Sequence, residues 1–131
     1  MREGLIRNTN QVKQAIDFKG LDFGNIHPSD IDAVLEFDNK HLILFEIKRS
    51  GNDIPIGQRL LLKRICNDWK GNSIVLKGEH KCNDTETIFL DECLLTESYK
   101  SGEWTKHSGS TTIKEALDNI ALKWNIKKLL K

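Results

Sequence analysis

Two apolar runs, Ile31 to Phe37 and His41 to Ile47, flank the polar triplet Asp38-Asn39-Lys40. Both are rich in Ile, Val, Leu and Phe, the composition of paired strands. A three-residue connection containing Asn suits a hairpin, because Asn tolerates the left-handed backbone that such loops use. Centring the pairing on Asn39 sets Asp32 across from Glu46 and Asp30 across from Lys48. Side chains alternate along a strand, so those four share one face with Val34, Leu42 and Leu44. Ile31, Ala33, Leu35, Ile43, Phe45 and Ile47 then make the opposite face, which is uniformly apolar and must be core. A two-residue loop would move Glu46 off the face of Asp32, so the reading turns on loop parity.

The rest of the chain punctuates in the same terms. Asn8, Thr9 and Asn10 are N-cap candidates before a helical repeat of Val12, Ala15 and Ile16, predicting a helix over 9–19 that Gly20 stops. Residues 20–29 read as a loop with two glycines and a proline, in which His27 and Ser29 lead into the first strand. After a polar linker over 49–55, the stretch Gly57 to Trp69 reads as a helix. It carries one stripe of Leu61, Ile65 and Trp69 and a neighbouring one of Gln58, Leu62 and Cys66. Arg59, Lys63 and Arg64 fall on its outer face. Ser73 to Lys77 is a short apolar strand, and a strand–helix–strand crossover implies that it runs parallel to the strand before the helix. Strands are expected over about 87–90 and 93–98, then a hairpin turn before Trp104, whose indole suits packing or base stacking. Thr112 and Glu115 form a capping box for a last helix that buries Ile113, Leu117, Ile120, Ala121 and Trp124. Its terminal lysines, Lys123, Lys127 and Lys128, suit a helix C-terminus as well as a phosphate.

Composition narrows the class. A chain of 131 residues with 38% hydrophobic and 30% charged residues is read as one soluble domain over 1–131. The expected architecture is α/β, a mixed four- to five-stranded sheet flanked by helices. A net charge of +1 means that any nucleic-acid binding must come from a local basic face. No apolar run is long enough for a membrane span, and the first residues lack a signal-peptide core. The expectation is therefore a cytoplasmic protein with its three cysteines reduced. Cys66, His80, Cys82 and Cys93 are zinc-type residues, but no Cys-x-x-Cys pair sets them at ligand spacing.

The chemistry sits at one end of the hairpin. Two carboxylates on opposed strand positions can share one hard divalent cation, and a lysine two residues after the second can hold a phosphate oxygen or orient a water. Asp32, then Glu46-Ile47-Lys48, then Gln58 in a following helix resembles the core of the PD-(D/E)XK nuclease superfamily, in its phage-type and virus-type replication–repair or resolvase-like branches. The resemblance covers Pro28 to Trp69, about a third of the chain.

That resemblance implies a restriction-endonuclease-like core and a Mg2+- or Mn2+-dependent deoxyribonuclease, expected to cut internally. Asp32, Glu46 and the main-chain carbonyl of Ile47 would be metal ligands. Lys48 would act on water or phosphate, and Gln58 would orient either. Asp30, Arg49, Arg59 and Lys63 would stand behind the site or touch nucleic acid. DNA is the expected partner, with RNA left open, and the host cytoplasm the location if the chain is phage-encoded. A homodimer would serve the cutting of both strands. The chain departs from the pattern in two ways. The extra N-terminal acid of many members has only Glu3, or Gln11, Gln14 or Asp17, to fill it, and Asp30 competes with Asp32 as first acid. The alternative reading is a non-catalytic nucleic-acid-binding or interaction module on the same fold.

Overall fold

The structure is a computed structural model of the chain, and it describes residues 17, 19–21, 23, 24, 26 and 28–130. The chain divides into two compact units, residues 1–30 and 31–131. The described part of the first holds a 3-10 turn, Lys19–Leu21, and a small bridge between Phe23 and Ile26. Most of the helix predicted over 9–19, together with His27, Glu3, Gln11 and Gln14, lies outside the described residues.

The second unit is an α/β fold built on a five-stranded mixed sheet in sequential order, β1-β2-β3-β4-β5. β1 (Ala33–Phe37) and β2 (His41–Arg49) form the predicted hairpin. Asp38 and Asn39 adopt left-handed backbone in its three-residue loop, and the odd loop length fixes the register Ala33↔Phe45 to Phe37↔His41. Helix α1 (Ile56–Asp68) then crosses over, and β3 (Asn72–His80) pairs parallel to β2, as a strand–helix–strand crossover requires. β4 (Leu94–Lys100) and β5 (Glu103–Lys106) continue the sheet antiparallel, through a tight turn with left-handed Ser101 and Gly102. Helix α2 (Ile113–Trp124) opens on the expected capping box of Thr112 and Glu115 and ends on a left-handed Asn125. The strand expected over 87–90 does not form. A 3-10 turn, Leu90–Glu92, occupies the approach to β4.

Each sheet face carries a core, and the alternation decides which residues go where. Ile43, Phe45, Ile74, Leu76, Leu95 and the α2 residues Ile113 and Ile120 make one core. Leu42, Leu44, Val75 and Tyr99 pack with Leu62 and Cys66 of α1 in the other. Ile31 departs from its predicted face. It packs with the α1-side cluster, because the chain bends at Asp32 before β1 starts. Cys66 and Cys93 end in different cores, and among the described residues no three His, Cys, Asp or Glu side chains gather as a metal-binding group. Cys66 therefore does not join His80, Cys82 and Cys93, which line a cavity beside β3 and β4. No helix among the described residues is long and apolar enough to cross a membrane.

Candidate active site

The loop parity brings the two acids together. One step beyond the last register pair, Ala33↔Phe45, Asp32 stands opposite Glu46. The backbone ladder stops there, and Oδ2 of Asp32 accepts the main-chain N–H of Ile47 at 2.6 Å. In an extended strand the N–H and C=O of one residue point to the same side. The Ile47 carbonyl therefore faces the edge that Asp32 occupies.

Glu46 is 1% exposed. Its Oε1 lies 3.4 Å from Nζ of Lys48, and its buried Oε2 has no hydrogen-bond partner. Burial pushes the Glu46 carboxyl up to about 7; the charge of Asp32 and a hydrogen bond shared between the two carboxyls when one holds a proton add to the rise, while Lys48 opposes it. Two carboxylates against one another with a single ammonium are one positive charge short. The group that best satisfies such a pair is a proton or a hard cation.

The parallel strand beside it repeats the motif in reverse. Glu46 and Lys48 of β2 stand in register with Lys77 and Glu79 of β3, so Glu-Ile-Lys lies beside Lys-Gly-Glu in a square of alternating charge. Each lysine pairs along its own strand, Lys77 Nζ with Glu79 Oε2 at 2.8 Å. Lys77 is 5% exposed, and its other neighbour in register is the buried Glu97 of β4. Sequence reading missed Lys77, Glu79 and Glu97. The signal was present in the charges that interrupt otherwise apolar strands, but which strands adjoin is a tertiary fact.

Arg59 corrects its predicted place. It does not lie on the outer face of α1 with Lys63 and Arg64, both of which are exposed. Its guanidinium holds Glu97 through two hydrogen bonds of 3.0 and 2.8 Å, also binds Asp53, and lies 4.6 Å above the Trp104 ring. A carboxylate buried in the sheet needs a cation, and the first turn of α1 supplies it. Trp104 likewise packs, tilted against Tyr99 at 5.0 Å. Gln58 sits half-buried in the first turn of α1, as predicted. Arg49 is at the surface, 3.5 Å from Asp84. Asp30 is exposed and ends the first unit, and β1 begins only at Ala33, so the strand pairing does not extend to it.

The residues present fit a divalent ion in the nature of their donors. Asp32, the orphaned Oε2 of Glu46 and the Ile47 carbonyl are all hard oxygen ligands, few enough to leave room for water and a phosphate oxygen. Comparison with protein-family models, with curated proteins and with solved structures finds no match for this chain.

Proposed function

We propose that the protein is a divalent-metal-dependent nuclease that hydrolyses phosphodiester bonds in DNA, with structure-directed or weak sequence preference, on a restriction-endonuclease-like core. The observation that carries this reading is Glu46. A buried carboxylate that faces a second carboxylate and leaves one oxygen unsatisfied is costly unless a proton or a cation completes it, and a cation is what the neighbouring oxygen donors suit. The hairpin, crossover helix and parallel strand around it suit the nuclease core that the Asp32, Glu46-Ile47-Lys48 pattern resembles.

Asp32, Glu46 and the Ile47 carbonyl would hold Mg2+ or Mn2+. The ion, when bound, supplies a water of lowered pKa and positive charge for the phosphate. Asp32 is kept in place by the Ile47 N–H. Glu46, whose carboxyl is raised to about 7, would release its proton to solvent on holding the ion. Lys48, at 3.4 Å from Glu46 and partly exposed, orients the attacking water or a phosphate oxygen. Gln58, half-buried in the first turn of α1, would orient water or phosphate. With net charge +1, substrate capture depends on local cations such as Lys48, Lys63 and Arg64.

The test is cleavage of plasmid, linear, single-stranded and branched DNA with Mg2+, Mn2+ or EDTA, with wild type beside Asp32→Ala and Lys48→Ala. Metal-dependent cutting that both substitutions abolish is expected. A second reading, a non-catalytic nucleic-acid module, is favoured by the absence of a third acidic, His or Cys ligand among the described residues. DNA binding at full strength in EDTA, unchanged by Lys48→Ala and without cleavage, is the result that selects it.

A further inference from the structure

The far side of the sheet from Glu46 carries a second feature. Five strands at about 4.8 Å spacing make a sheet wider than one helix of roughly 10 Å, so α2 cannot cover that face alone. It packs over β3 and β4 and leaves β5 open. The result is a groove of about 550 Å³ between α2 and the β4–β5 hairpin, within the size range of small-molecule sites.

Its two sides differ in chemistry. The floor is apolar, formed by Ile74, Leu76, Leu95 and Ile120. The polar groups include Ser98, His107, Lys100 and Lys123, and no acidic residue lines the groove. Ser98 is 8% exposed, and its Oγ lies 2.8 Å from Nε2 of His107. No ion pair among the described residues engages Lys100 or Lys123, and Lys100 rests at 5.9 Å over the Trp124 ring at the end of the groove. Glu103 stands in register with Lys100 across the hairpin, but it does not line the groove, and two lysines at the edge of an apolar floor with no carboxylate in the lining complement one kind of ligand.

We propose that this groove binds a small amphipathic anion. Its apolar body lies on Ile74, Leu76 and Leu95, and its carboxylate or other acidic head sits between Lys100 and Lys123, with the Ser98–His107 pair as a polar contact beside it. The inference is independent of the nuclease reading, because the groove opens on the opposite sheet face.

The experiment is displacement of anilinonaphthalene sulfonate fluorescence from the full chain by decanoate, with the uncharged decanol as control. Decanoate should displace the dye, and decanol should be roughly tenfold or more weaker, the value of about one charge-assisted contact. Lys100→Gln with Lys123→Gln should cost decanoate a similar factor. Asn119→Trp, at an exposed α2 position that lines the groove, should block it at unchanged Tm. Equal displacement by decanol, dye bound equally by the Asn119→Trp variant, or no binding at all would each overturn the assignment. So would concentration-dependent dimerisation that Asn119→Trp abolishes, which would give the groove to a second copy of the chain.

Discussion

The main-chain N–H of Ile47 donates to Oδ2 of Asp32 at 2.6 Å, so a side chain finishes the ladder that the backbone of β1 leaves incomplete. One residue thereby serves two needs. It satisfies a strand N–H, and it holds a carboxylate against Glu46.

Asp32→Asn and Asp32→Ala should separate these needs. The amide oxygen of Asn can still accept from Ile47, so stability stays near that of wild type. Ala leaves the N–H without its partner and should cost on the order of 1 kcal/mol in urea unfolding. Both remove a negative charge beside Glu46. Both should therefore bring the Glu46 carboxyl below its value of about 7, read from the pH titration of its carboxyl carbon by NMR.

Glu46 also makes stability depend on pH. Its carboxyl rises from an ordinary 4.5 to about 7 in the fold. The folded chain then binds more protons than the unfolded chain between those values, and stability falls as pH rises through that window. The loss is on the order of 3 kcal/mol. Glu46→Gln should flatten this part of the profile in denaturant titrations from pH 4 to 8. A wild-type profile that rises through the window would show that Glu46 is ionised in the fold.

The same proton must leave when a cation binds. Mn2+ affinity should increase from pH 5.5 to 7.5, and calorimetry in buffers of different ionisation enthalpy should detect proton release near pH 6. In Glu46→Gln both the affinity and the release should be lost.

Arg59 is the cation of a buried pair, so its removal should act on the fold. Arg59→Met takes from the buried Glu97 the cation that holds it through two hydrogen bonds and should cost about 3 kcal/mol. Arg59→Met with Glu97→Gln should be milder than the single change. Additive losses in that cycle would mean the two residues do not depend on each other.

Gly71 is fixed by space. A Cβ there would stand 2.0 Å from the Lys40 carbonyl oxygen, which already accepts from Asn72 N at 2.9 Å and from Trp69 Nε1 at 3.1 Å. Gly71→Ala should push the β1–β2 loop away from the end of α1 and destabilise by roughly 1–3 kcal/mol, measured by thermal unfolding.

The elements that could be read from the chain are those whose cause is local. The hairpin, its register, the capping box at Thr112 and the crossover through α1 follow from alternation, loop length and cap chemistry within short spans. The opposition of Asp32 and Glu46 belongs with them, because loop parity alone sets it. What lay beyond reach is whatever depends on strands that are neighbours in space and distant in sequence. Alternation says that Lys77 and Glu97 share a sheet face with their strand mates. It does not say that β3 lies between β2 and β4, where Lys77 comes beside Glu46 and Glu97 needs Arg59. The same holds for Arg59, whose helical position reads as solvent until the buried carboxylate facing it is known. The orphaned oxygen of Glu46 and the groove between α2 and the β4–β5 hairpin are likewise tertiary facts, since burial is a property of the whole packed sheet and of how much of it the helices can cover.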